Sequence, residues 1–526
     1  MRHHGLFIRC IFSRVARHRN TCDDRDHAVS IPDWLTSLTT RHAVNICIES
    51  DSGAMSFAEL DRNSADIARG LLARGIGKGT RVGLLLGNGP YWVAWWAALG
   101  RIGAMCIPLS TFLQPAELVR AVRHSDIHLL VAQRRFLNRD FASLIADAFP
   151  DAGADPLLAL SEAPYLRTIV MDDTALPWMR GSGWVTDAGR ASHWETVLEC
   201  AQREVHPDDE ALCIYTSGQS ADPKGVLFTQ AMVVIKAEYL RGMFGFTTSS
   251  VTAATMPFFW VGGLVMALFP TMAAGGTTRC TDRSTWGLGG VIGHGGGTSR
   301  DASDSAVGLS LMPSLGMTET LGMYSWGREW AVEPYPIAAP IDALQPGFEI
   351  RLVDEAGDDV GEGTAGEIVV RGPTVAARLH KVARRDAFDP DGFYRTGDRA
   401  IRHGDRVSFL GRIADTIKTS GANVSPAEVE RELAGLDGVA VAHVVGIDDP
   451  DRDQLVAAAV LRTPGSILTE EEIRVQLRQR LSVYKVPRVI VFLNSMDEVP
   501  MTPSMKVRKR ALAEFIDSRR NSDGER

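Results

Sequence analysis

Cysteine is scarce. The seven in 526 residues are Cys10, Cys22, Cys47, Cys106, Cys200, Cys213 and Cys280, an odd number with no CxxC pair. That scatter argues against a disulfide framework or a structural zinc site and favours a reducing compartment, the cytoplasm. Excess positive charge is missing too: 56 Lys and Arg against 64 Asp and Glu give −8. A general electrostatic grip on nucleic acid is thereby disfavoured. A small anion held by backbone amides and a few local cations is not. Long uncharged apolar runs are also absent. The most apolar stretch, residues 91–109, carries Arg101 in its middle, which a lipid-exposed span would not tolerate. It reads as a buried helix running into a strand, and no integral membrane span is expected.

What remains is an ordinary globular composition, 45% hydrophobic and 23% charged, on a chain long enough for two or more domains. Residues 1–30, rich in Arg and His with no acid before Asp23, read as a basic, disordered extension. Folded pattern starts at Ile31. Residues 57–75 carry apolar positions at helical spacing and stop at Gly75. An apolar run at 81–86, a turn at Gly87-Asn88-Gly89-Pro90, a helix from Tyr91 and a strand at 104–109 make a βαβ pattern and a mainly parallel sheet. Residues 347–354 and 367–371 read as strands. Beyond about Gly411, helix and strand alternate at shorter spacing (428–436, 439–447, 455–461, 470–481, 488–492), as in a small α+β domain. The expected fold class is α/β: a large N-terminal domain of mixed sheets flanked by helices over 31–410, and a small α+β C-terminal domain over 411–526. Residues 287–297, with seven glycines in eleven positions, fit no GxGxxG frame and read as a loose connection.

Chemistry concentrates in a few segments. Residues 214–225, IYTSGQSADPKG, run from an apolar strand end into Thr216, Ser217, Gly218 and Lys224. Hydroxyls, backbone amides and an ammonium are what a triphosphate requires. This is not a Walker A loop, because Pro223 and Gly225 stand where glycine and the Mg²⁺-binding hydroxyl belong. Further on come Gly316-Met317-Thr318-Glu319, then Tyr394-Arg395-Thr396-Gly397-Asp398, then Gly411-Arg412 leading to Gly421 and SPAEVE (425–430), and finally a basic run from Pro500 that contains Lys506. Alone, each reads equally well as a turn, a cap or a surface charge.

In this order and spacing they resemble the adenylate-forming (AMP-binding) superfamily, most of all bacterial fatty-acid–CoA ligases, from about Ile31 to about Leu512. The resemblance implies a C-terminal lid over the N-terminal domain and a two-step reaction. A carboxylate attacks the α-phosphate of Mg·ATP, and CoA then takes the acyl group from acyl-AMP. It assigns Thr216, Ser217, Gly218 and Lys224 to the phosphate loop, Thr318 to phosphate and Glu319 to Mg²⁺. It assigns Asp398 to the ribose hydroxyls, Arg412 to ribose and phosphate, Lys506 to the carboxylate and α-phosphate, and Gly421 to the pantetheine channel. Phe259, Trp260 and Gly262 would line the acyl pocket. No aspartate stands there to hold an ammonium, so an apolar acid, fatty or related, is the implied substrate. Core packing explains those aromatics about as well. The acceptor is CoA or a carrier-protein arm.

The pattern also breaks. Gln219 and Ala221 depart from the phosphate loop, Leu315 replaces the adenine-stacking tyrosine, Ala414 the charged hinge residue, and Met505 the glycine before Lys506. The interval from Gly263 to Met317 is short, as if part of a sheet were deleted. These departures leave a second reading, a catalytically inactive remnant that at most binds nucleotide or a partner.

Overall fold

The computed structural model describes residues 28–526, except 154, 156, 174–175, 217–223, 281–313, 327–337, 341–343, 405, 414–416, 425, 502–506 and 524–526. The basic extension up to residue 27 and the glycine-rich segment 287–297 therefore lie outside the described residues.

The helix Phe57–Ala73 forms where apolar periodicity predicts it. A reciprocal capping box starts it: Glu59 N donates to Ser56 Oγ at 3.2 Å, and Ser56 N donates to Glu59 Oε2 at 2.8 Å. The helix Pro90–Arg101 buries Trp92, Trp95 and Trp96. Its one charge, Arg101, is buried without being orphaned. It donates to Ser64 Oγ at 2.9 Å and Gln202 Oε1 at 2.7 Å and pairs with Asp61, so the expected buried helix is found and its charge is compensated.

That helix feeds the central eight-stranded sheet. Its order is Arg378–Leu379, Lys224–Thr229, Glu210–Thr216, Met105–Pro108, Arg81–Leu85, Leu129–Ala132, Thr168–Met171 and Arg180–Gly181. From Glu210–Thr216 onward all neighbours are parallel; the two strands before it are antiparallel. A four-stranded sheet joins Val251–Ala253, Thr277–Arg279, Ile46–Ser50 and Gly53–Ser56. Thr277–Arg279 pairs in parallel with strands on both sides, so the short interval after Gly263 still supplies a strand. A five-stranded sheet holds Ala338–Pro340, Arg406–Arg412, Tyr394–His403, Ala365–Arg371 and Glu349–Val353.

The last sheet is separate: Ala422–Val424, Ile417–Thr419, Asp453–Arg462 and Val439–Asp449, with Val489–Leu493 parallel to Asp453–Arg462. The chain leaves the five-stranded sheet at Arg412 and enters this one at Ile417. The helices Pro426–Ala434 and Glu470–Arg478 pack Val429, Leu433, Ile473 and Leu477 onto one of its faces, and Lys509–Asp523 covers the other with Leu512 and Ile516. Among the described residues no helix is long and apolar enough to cross a membrane.

Candidate active site

Thr216 and Lys224 face each other across the antiparallel strands Glu210–Thr216 and Lys224–Thr229. They thus stand on either side of residues 217–223, and Ser217 and Gly218 fall outside the described residues. Gly225 follows because the space demands it. A Cβ there would meet Tyr215 Cζ at 2.7 Å and His380 Cβ at 2.9 Å.

Thr318 and Glu319 sit in a one-turn 3₁₀ segment, Thr318–Thr320, between the strands Ser314–Met317 and Gly322–Trp326. The reversal uses two left-handed residues, Leu321 (φ 52°) and Gly322 (φ 90°). Thr320 Oγ1 locks it, donating to Gly322 O at 2.6 Å and accepting from Met317 N at 3.1 Å. Glu319 is buried. Its carboxylate accepts from Tyr394 Oη at 3.0 Å and its carbonyl from Ala376 N at 2.7 Å. One oriented carboxylate suits Mg²⁺, which keeps several waters and takes its other oxygens from a bound phosphate. Leu315, in the same hairpin, is buried in the main core.

The strand Tyr394–His403 carries the next carboxylate. Its alternation buries Tyr394, Thr396, Asp398 and Ala400 on one face. The residue that orients Glu319 and the carboxylate expected at ribose therefore share a side. Thr396 Oγ1 accepts from Asp398 N at 3.0 Å and donates to Ile368 O at 2.6 Å. Gly397, at φ 71°, gives its N–H to Glu367 Oε1 at 2.9 Å. Asp398 stands opposite Arg412 in the ladder.

A cavity of about 330 Å³ brings Thr216, Thr318 and Gly421 together, whereas Lys224, Glu319 and Asp398 are not among the residues that line it. Thr216, Thr318, Met256, Phe259, Trp260 and Gly262 line it from the N-terminal domain, and Gly421 and Ala422 from the small domain. Ser420 (φ 49°) and Gly421 (φ 78°) make the tight turn between Ile417–Thr419 and Ala422–Val424, which is why glycine stands there. The aromatic run divides. Phe258 is a core residue, fully buried against Trp92 at 5.1 Å between centroids, and Asn88 Oδ1 pins its N–H at 2.8 Å. Phe259 and Trp260 face the cavity.

Three things escaped sequence reasoning. Phe112 packs edge-on to Phe259 at 5.7 Å, lies 6.4 Å from Trp260 and reaches Tyr484 of the small domain at 6.1 Å. Glu117 meets Lys485 from a position 368 residues away in sequence. Arg120 meets Glu432 across the same junction. Glu428 and Glu432 left at most a faint trace, as like charges four apart on one helix, because Arg431 of the same helix already lies 3.5 Å from Glu432. Lys506 and Ala414 lie outside the described residues, and Arg412 is placed by its backbone alone.

A large α/β domain and a small α+β domain that close on one cavity, walled by a phosphate-loop strand, a Thr-Glu turn and a small-domain glycine, define the architecture of an adenylate-forming enzyme. The family models concur. "AMP-binding enzyme" matches residues 37–286 and "AMP-binding enzyme C-terminal domain" matches residues 428–506, and the chain belongs to that family. It is 27% identical to a sulfoacetate–CoA ligase of Cupriavidus necator, over 88% of this chain and 93% of that one. It is 28% identical to an indoleacetate–CoA ligase of Aromatoleum aromaticum, over 93% and 98%. In fold it resembles the o-succinylbenzoate CoA synthetase of Bacillus subtilis, with a TM-score of 0.68 at 20% identity over 92% of this chain and 98% of that one. The relatives just named are acid–thiol ligases, the enzyme class expected from the sequence.

Proposed function

We propose that the protein activates an apolar, ring-bearing carboxylic acid with ATP and passes the acyl group to CoA. One observation carries this reading: small-domain Gly421 and the N-terminal Thr216, Thr318 and Trp260 line a single cavity. Acid, nucleotide and thiol can then meet at one place, and proximity does much of the work. The aromatic walls at Phe259 and Trp260, backed by Phe112, suit a ring. The relatives act on acids as different as sulfoacetate and indoleacetate, so the wall chemistry of this chain, not the family, selects the acyl group. In the first step a carboxylate oxygen attacks the α-phosphorus and pyrophosphate leaves. In the second a thiolate sulfur attacks the acyl carbon and AMP leaves.

Thr216, Ser217, Gly218, Lys224 and Thr318 hold the phosphates in this scheme. Glu319 takes Mg²⁺, which would shield the phosphate charge, and Asp398 and Arg412 take the ribose. Lys506 offsets the repulsion between carboxylate and α-phosphate as it grows in the transition state. Removing it with Lys506→Ala should cost about 3–4 kcal/mol or more of adenylation and leave transfer from supplied acyl-AMP largely intact. Leu315 offers no ring for adenine, so ATP should bind weakly. The test is acid-dependent exchange of pyrophosphate into ATP across a panel of aryl, arylacetic and fatty acids. Exchange strongest with ring-bearing acids is expected. Exchange with none of them, from folded protein, would favour the inactive-remnant reading instead.

A further inference from the structure

The junction between the two domains carries buried charge that no step of the proposed chemistry uses. Glu117 lies in the first turn of the helix Pro115–His124. Its side chain is 3% exposed, and Lys485 and Glu428, both of the lid, are each 11% exposed. Lys485 Nζ donates to Glu117 Oε1 at 3.1 Å and to Glu428 Oε1 at 3.0 Å, and Ser482 Oγ donates to Glu117 Oε2 at 2.9 Å. One turn further along the same helix, Arg120 Nη1 donates to Glu432 Oε1 at 2.7 Å. Two helices, Pro115–His124 and Pro426–Ala434, thus face each other through two rungs of opposite charge.

We propose that Glu117 is the N-terminal half of a releasable latch that holds the lid with Gly421 at the cavity, and so sets the balance between adenylation and transfer to the thiol. This rests on the ligase reading above. Glu117, Arg120, Glu428 and Lys485 form the junction side of the cavity wall; in this proposal Glu117 acts through the lid, as a positioning residue.

What makes the contact a latch is the state of each half once parted. Lys485 keeps Glu428, which belongs to the lid. Glu117 keeps the N–H of Gln114, which donates to its Oε2 at 2.9 Å, and gains water for the rest. Neither half is left with a charge stranded in the protein interior, so parting avoids the penalty that makes most buried pairs irreversible. Docked, the pair excludes water and is worth more than an exposed one. Such a contact favours one lid orientation without forbidding the other, as a domain alternation requires.

The test separates half-reactions. Glu117→Gln, Lys485→Met and the exchange Glu117→Lys with Lys485→Glu are compared with wild type for acid-dependent pyrophosphate exchange, for single-turnover transfer from supplied acyl-AMP to CoA, and for radius of gyration by small-angle scattering. Each single variant should slow transfer about tenfold or more and change pyrophosphate exchange less than about threefold. Each should also enlarge the scattering radius, and the exchange variant, which still sets one cation against the carboxylates of the lid, should recover part of both losses. Unchanged transfer, or equal loss of both half-reactions at an unchanged radius, would overturn the latch. Failure of wild type itself to make thioester would instead count against the ligase reading. The radii would then decide alone, with identical values in wild type and variants overturning the latch.

Discussion

Among the described residues two lysines are taken out of water, and their surroundings treat them oppositely. Lys236, on the helix Gln230–Phe244, has no exposed surface. Its ammonium donates to Met323 O at 2.7 Å and Gln345 Oε1 at 2.6 Å and lies 5.3 Å from the centre of the Phe348 ring. These partners are neutral, and burial pushes its pKa well below the usual lysine range. At Lys485 burial also opposes the charge, but the Tyr484 oxygen and the Glu117 and Glu428 carboxylates more than offset it, so the ammonium is held above that range. The difference follows from position. In a closed core an uncompensated charge can be relieved only by losing its proton. At a domain junction it can be relieved by opening the junction. Buried charge is therefore structural in the first place and conformational in the second.

The largest effect that would sharpen this contrast is kinetic. Lys485→Met leaves Glu117 and Glu428 facing each other, and the expected result is a lid that parts rather than a domain that melts. Transfer to CoA drops, while the main thermal transition shifts by less than the equivalent of about 1 kcal/mol, since the freed carboxylates reach water. Lys236→Ala should do the reverse. It leaves the Met323 carbonyl and the Gln345 side chain without their donor and opens a cavity, at about 3 kcal/mol measured by denaturant unfolding. If the two variants gave the same pattern, the contrast would be broken.

A smaller effect concerns pH. The folded pKa of Lys236 is depressed, so between it and the ordinary value the unfolded chain holds a proton that the native one has released. Stability should then rise with pH up to about 10.4. Unfolding free energies measured across that range should show the slope in wild type and lose it in Lys236→Met. A third buried group gives the smallest effect, on the acid side. Burial and the Arg81 guanidinium, whose Nη1 lies 3.1 Å from the ring nitrogens, hold His380 near 4 against a partial pull from Asp126. Its contribution is complete above about 6.5 and is lost as pH falls through about 4. His380→Gln should flatten that part of the acid-stability profile. A flat wild-type profile would contradict the assignment of a neutral imidazole.

Local pattern explains most of what the sequence disclosed. The strands at 81–85 and 105–108, the capped helix from Phe57 and the alternation of the last hundred residues are each set by neighbours a few positions away, and they fold as read. Gly421 was legible because a left-handed turn demands glycine there. Phe259 was assigned to the pocket by resemblance alone; local pattern did not set it apart from Phe258, although one is core and the other lines the cavity. Adjacent residues on irregular backbone carry no periodicity to say which way each points, and Asn88, 170 positions earlier, makes that choice. The junction was the least legible feature. Glu117 capping its own helix and Lys485 in a short 3₁₀ turn are complete local explanations, and nothing nearby signals that the two meet.

One cavity shared by two domains, we propose, activates a carboxylic acid and hands it to CoA. The most direct test is a quantitative balance in a single incubation of folded protein with Mg·ATP, CoA and an aromatic acid such as indoleacetate, with products identified by mass. AMP, pyrophosphate and acyl-CoA should appear in equal amounts, all dependent on the acid. ATP consumed without thioester, or thioester formed equally well when the acid is a straight chain too long for the cavity, would contradict the proposal.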